Sequence, residues 1–127
     1  MKLYCFGESG NAYKCALTMT LAGYTWEPVF VDFFNGEARS PSFRAINEMA
    51  EVPVLIDDGK TFTQSGVILN HIVRKTGLFG GAPEDADEVL RWILWDNHKH
   101  TGTISTLRFL GNFLAPEKRP EGVIPFL

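Results

Sequence analysis

The chain has 127 residues, enough for one full domain or for one small domain plus part of another. A 45% hydrophobic and 21% charged composition is that of a globular protein and excludes a disordered one. With 15 acidic and 12 basic side chains the net charge is −3, which argues against a nucleic-acid or other polyanionic partner. No apolar run reaches the ~18 residues of a membrane span. The first six residues meet Gly7 and Glu8 too soon for a signal peptide, so a cytoplasmic location is expected.

In chain order, residues 2–6 read as a short strand ending at Gly7. Gly10 and Asn11 punctuate a loop, and residues 12–22 carry a helical stripe of Ala12, Cys15, Ala16 and Met19, stopped by Gly23. Residues 27–32 form a second strand, with Val29 and Val31 on one face and Phe30 on the other. Ser40 and Pro41 supply the cap and first position of a short helix predicted through Phe43 and Ile46 to about Asn47. Residues 54–56 and 60–63 pair as a hairpin around Asp58-Gly59. A third helix runs over residues 65–76 with Val67, Ile68, Ile72 and Val73 inward, stopped by Gly77.

The order β-α-β-α-β-β-α predicts one α/β domain over residues 1–78, its first two strands parallel and its closing hairpin antiparallel to its neighbour. Residues 79–84 read as a linker. Residues 85–127 read as part of an all-helical domain, with acidic Glu84, Asp85 and Asp87 at the start of a long helix and Gly102 as a kink. One such helix cannot bury its own stripe and the first domain's flank, so further helices are expected beyond this segment. Cys5 and Cys15 lack metal-ligand spacing and read as small buried hydrophobes in a reducing compartment. His98 and His100 do not share a helix face and read as surface or packing residues. No metal site is expected.

The most informative stretch is residues 51–65. Pro53 at the first position of a strand needs no N–H partner there. If its peptide bond is cis, the preceding backbone turns outward and offers the N–H and C=O of Val52 to a ligand. Gln64 and Ser65 open the next helix, where unpaired N–H groups and the dipole favour a carboxylate. Together these predict a peptide-sized docking site with an anionic end.

Three pieces, in this order, resemble the N-terminal, thioredoxin-like domain of bacterial glutathione S-transferases. They are Ser9-Gly10-Asn11 after the first strand, Val52-Pro53-Val54-Leu55 in the third, and Gln64-Ser65 before the third helix. The run from Arg39 to Phe43 and the region from Trp92 to Leu110 resemble the family as well. The resemblance implies glutathione as co-substrate. Val52, before a cis Pro53, would pair with its cysteinyl backbone as an added half-strand. Gln64 and Ser65 would hold the γ-glutamyl carboxylate.

Ser9 is the expected catalytic residue, donating a hydrogen bond to the thiolate beside a helix N-terminus, and Asn11 is the alternative. Serine-type members of the family place a hydroxyl here, and the loop holds no sulfur, which speaks against dithiol redox chemistry. Two departures stand out. Glu51 replaces the usual Gln or Lys and is expected to repel the glycine carboxylate, and residues 47–50 lack the Pro and Gly of the family's turn. Arg39 is expected to supply a compensating positive charge.

The resemblance implies a homodimer that conjugates glutathione thiolate to a hydrophobic electrophile bound between the two domains. Isomerisation, peroxide reduction and disulfide reduction are other glutathione chemistries open to such a site. The competing expectation is a non-enzymatic binding or assembly module of the same fold. Trp92, Trp95 and Phe109 read first as core residues and second as a wall for the electrophile.

Overall fold

The structure is a computed structural model and describes residues 1–126. The chain divides into two units, Met1–Glu84 and a second that begins at Asp85. All four strands lie in the first unit: β1 (Lys2–Cys5), β2 (Glu27–Phe30), β3 (Val54–Asp57) and β4 (Lys60–Thr63). They form one sheet in the order β2-β1-β3-β4, with β1 and β2 parallel and the other two pairings antiparallel.

Side chains alternate across this sheet, as the pleat requires. Leu3 and Leu55 point to one face and pack with Cys15 and Met19 of α1 (Gly10–Leu21) and Ile68 and Ile72 of α3 (Ser65–Thr76). Val54 points to the other face, with Val31, Ala38 and Phe43, the last from the short helix α2 (Pro41–Arg44). The sheet is thus sandwiched between α1 and α3 on one side and α2 on the other. Tyr4 packs its ring edge-on against Phe43.

Several expected boundaries shift, each for a local reason. Helix α1 starts at Gly10 because the Ser9 hydroxyl caps it, accepting from Ala12 N at 3.2 Å, so Gly10 and Asn11 are helical rather than loop. Strand β2 stops at Phe30 because its partner β1 stops at Cys5, the residue opposite. Helix α2 stops at Arg44, and Asn47 serves the loop that follows instead. Val67, expected inward, is exposed: the buried residues of α3 are Ser65, Gly66, Ile68 and Ile72, and Val67 is rotated off their arc. The β3–β4 turn matches expectation, with Asp58 and Gly59 both at positive φ as a two-residue hairpin loop requires.

In the second unit, α4 (Ala86–Trp95) passes without a break into a π-helical segment, Asp96–Ser105, and then α5 (Thr106–Asn112). Gly102 lies inside the π segment, whose wider winding brings residues five apart together. Trp95 stacks on His100, and Thr101 donates to Asp96 at 3.5 Å. A single-turn helix, α6 (Val123–Phe126), follows. Trp92, Trp95 and Phe109, read first as core residues, are each 40% or more exposed among the described residues. No described helix is long and apolar enough to cross a membrane.

Candidate functional site

Helices α1 and α3 lie on the same face of the sheet and begin side by side. Ser65 Oγ donates to Asn11 Oδ1 at 3.4 Å, and the Cys15 thiol faces the Ser65 carbonyl at 3.8 Å. Two helix N-termini therefore point toward one region, and their first-turn N–H groups and dipoles make it favourable for negative charge. Neither helix has an acidic residue in its first turn to neutralise that field.

The Ser9 hydroxyl serves the α1 terminus. Its oxygen accepts the capping bond from Ala12 N, which uses one lone pair; the O–H proton is still available to donate. Capping and thiol stabilisation are compatible at this position. Asn11 turns its amide oxygen to Ser65, so it ties the two helix starts together.

Across from these termini, the Val52–Pro53 peptide bond is cis. Strand β3 begins two residues after Val52, and no hydrogen bond of the described residues uses the Val52 backbone. Pro53 is buried and Val52 half-buried, so the main chain here is anchored on one side with its polar groups unspent. An extended peptide can add to it as a short strand.

The loop leading to Val52 is held by Asn47, which is 4% exposed. Its Nδ2 donates to the Glu51 carbonyl at 2.8 Å, and its Oδ1 accepts from Met49 N at 3.2 Å. Ala50 sits at φ +57, a left-handed conformation that favours glycine. The turn thus keeps the backbone shape that Gly would ease, at some local strain. Asn47 is a positioning residue whose role sequence reasoning missed; the signal available was an Asn five residues before Val52, at the start of the altered turn.

Gln64 is the second strained residue, at φ +66 and ψ 119 immediately before α3. Non-glycine residues in such regions concentrate at ligand clamps and cost about 1–3 kcal/mol. Gln64 Nε2 donates to Glu51 Oε2 at 2.9 Å and lies 3.3 Å from Met49 Sδ. Glu51 thus meets Gln64, the residue that the resemblance assigns to the γ-glutamyl end.

Of the residues singled out from sequence, Ser9, Asn11 and Ser65 gather at the paired helix starts, and Glu51 and Gln64 join beside them. Val52 and Pro53 form the facing strand entry. Arg39 is not drawn in: it ends the 3-10 turn Glu37–Arg39, is exposed, and no hydrogen bond or ion pair links it to the others. An apolar cleft of about 380 Å3 opens at the end of β1, lined by Phe6, Gly7, Tyr13 and Phe30 among others. Cys5 also borders it, and burial pushes its thiol up, away from the reactive thiolate form. Among the described residues no group of three or more His, Cys, Asp or Glu side chains could hold a metal ion.

The other end of α3 has different chemistry. Asp57, 5% exposed, accepts from Lys75 Nζ and bonds His71 Nε2, both at 2.7 Å, and Lys75 also reaches Asp58 at 2.9 Å. His71 stacks on Phe62 with ring centroids 3.9 Å apart. Burial alone would push the Asp57 carboxyl up; the Lys75 and His71 hydrogen bonds outweigh it, and the net direction is down. This network pins the β3–β4 hairpin to α3.

Comparison with known proteins decides the family. Residues 1–74 match the profile described as glutathione S-transferase, N-terminal domain. The chain belongs to the glutathione S-transferase family. A crystal structure described as a possible glutathione S-transferase from Rhodopseudomonas palustris superposes with TM-score 0.82 at 32% identity, covering 89% of this chain and 51% of that one. Protein LigF of Sphingobium sp. (strain NBRC 103272 / SYK-6) is 33% identical over 112 residues, 84% of this chain and 44% of LigF. The transcriptional regulator URE2 of Saccharomyces cerevisiae is 30% identical over 112 residues, 80% of this chain and 32% of URE2. Ure2p in complex with glutathione superposes with TM-score 0.75 at 27% identity, covering 90% of this chain and 52% of that one. The chain thus spans a third to a half of the length of these relatives. The α/β sheet with its following helical segment is the glutathione S-transferase arrangement.

Proposed function

We propose that the chain binds glutathione between the Val52 backbone and the paired N-termini of α1 and α3, and that the bound thiolate attacks an electrophilic carbon of an apolar small molecule. The observation that carries this reading is the convergence of two helix starts, bearing Ser9 and Ser65, opposite a main-chain segment with unspent polar groups. An ordinary cysteine thiol has a pKa of ~8.5, so little thiolate exists at neutral pH. The Ser9 O–H and the α1 dipole both favour the anion, and each unit of depression amounts to ~1.4 kcal/mol. The protein supplies position and charge stabilisation, with no covalent enzyme intermediate. The apolar cleft beside Gly7 gives the electrophile a surface. A homodimer and a cytoplasmic setting accompany this reading.

Spectrophotometric conjugation of chlorodinitrobenzene, with glutathione titrated by calorimetry, tests it. Binding with turnover that Ser9→Ala suppresses is the expected result; absence of glutathione binding rejects it.

A second reading is favoured by one finding, the likeness to a protein named a transcriptional regulator that has been solved with glutathione. In that reading the site binds glutathione without turnover and the fold serves as a binding or assembly module. Calorimetric binding with no conjugation of any electrophile would select it.

A further inference from the structure

The Glu51 carboxylate is placed where the glutathione reading has no evident use for a negative charge. It lies against Gln64, at the threshold of α3, where the helix terminus calls for an anion from the ligand. A ligand carboxylate seated there would meet a like charge unless something positive stood between them. Glu51 is exposed, its one hydrogen-bond partner is a neutral amide, and no cation among the described residues pairs with it. A carboxylate has about four acceptor sites, and a single amide N–H fills one.

Next to each other, then, are a group that calls for an anion and a group that calls for a cation. A zwitterion satisfies both, provided its opposite charges sit on neighbouring atoms. An α-amino acid head has that form: carboxylate and ammonium share one carbon. Glutathione carries such a head at its γ-glutamyl end and only a carboxylate at its glycine end.

Resting on the glutathione reading above, we infer that Glu51 is a specificity-determining residue that receives the free α-ammonium of a γ-glutamyl ligand, while Ser65 and the α3 terminus receive its carboxylate. Gln64 bridges the two, its amide fixing Glu51 in place. Glu51 thereby selects γ-glutamyl thiols with an unmodified amino group over N-acylated or deaminated ones. The charge that the sequence pattern set against the ligand's glycine end instead attracts the ligand at its other end. Asn47, which holds the Glu51 carbonyl, fixes the backbone from which the carboxylate projects.

The test is calorimetric titration of the 127-residue chain and its Glu51→Gln variant with two ligands. One is glutathione; the other is glutaryl-cysteinyl-glycine, in which hydrogen replaces the α-ammonium. Glutamine keeps the size and the acceptor oxygen facing Gln64, and the position is exposed, so the variant retains the fold. Wild type is expected to bind glutathione roughly tenfold more tightly than the deaminated ligand, the size of one close charge pair at an exposed site. Glu51→Gln is expected to bind the two alike, at the weaker affinity. Equal affinities in wild type, or a variant that binds glutathione as well as wild type or better, overturn the inference and leave the glutathione reading intact. Failure of wild type to bind either ligand overturns the glutathione reading, and this one with it.

Discussion

The two ends of α3 use the same kinds of side chain to opposite effect. At the C-terminal half, Asp57, His71, Lys75 and Asp58 satisfy one another, and Gly77 relieves the helix end in a left-handed cap. At the N-terminal end the backbone is strained at Gln64, Val52 leaves its polar groups unpaired, and Glu51 has only an amide for company. One end is closed and contributes stability; the other stays open and gives some up. A fold that pays for its recognition surface in this way marks the site by the places where its local rules are broken.

Variants can break or sharpen that contrast. The largest effect is expected from Ser9→Ala, which should lower kcat/KM for chlorodinitrobenzene conjugation by about 10- to 100-fold and move the pH profile upward as the bound thiol regains its ordinary pKa. The lost cap should also cost about 1 kcal/mol in denaturant unfolding, whereas Ser9→Thr keeps the hydroxyl and should lose little of either.

At the closed end, Asp57→Ala should lower unfolding free energy by about 2 kcal/mol while changing glutathione affinity less than twofold. The associated pH dependence has a definite sign. The folded Asp57 pKa is depressed, so the unfolded chain binds more protons; this stability is present above the ordinary carboxylate value of ~3.9 and is lost as pH falls toward the folded value. Acid unfolding curves of Asp57→Ala should therefore be flatter below about pH 4 than those of wild type.

Gln64→Gly should separate the two ends in the opposite sense. Relief of the strained φ is expected to raise stability by about 1 kcal/mol, while loss of the side chain weakens glutathione binding by roughly tenfold. The smallest effect is expected at Ala50→Gly, which eases φ +57 and should add about 0.5–1 kcal/mol in thermal or denaturant unfolding.

The sheet, its order of elements and the hairpin at Asp58-Gly59 were legible because each rests on a local signal: alternation, a capping residue, a turn dipeptide. Gly77 stops α3 for the same reason. Less legible were features set by partners distant in sequence. Phe30 ends β2 because of where β1 ends, and Val67 faces outward because the rest of α3 claims the buried arc. The aromatic residues Trp92, Trp95 and Phe109 have core-like character in sequence and are exposed in the structure. Nothing local to residues 96–105 announced a π segment.

At the candidate site, side-chain directions were not readable from sequence. Glu51 and Gln64 are thirteen positions apart, and only the folded chain shows that they meet. Asn47 was visible as a broken family turn, but its grip on the Glu51 carbonyl depends on a loop path that no local pattern encodes. Arg39, chosen for its charge, ends a 3-10 turn and makes no hydrogen bond or ion pair with the other site residues.

The central claim is that the open end of α3 and the Val52 backbone hold glutathione. Backbone amide NMR of the 15N-labelled chain, titrated with glutathione, tests it most directly. The amides of Val52, Ser65 and Gly10 should shift in a saturable way, and those of Asp57, His71 and Lys75 should stay in place. Saturable shifts confined to the Asp57–His71–Lys75 end, or none at Val52 and Ser65 at saturating glutathione, would contradict it.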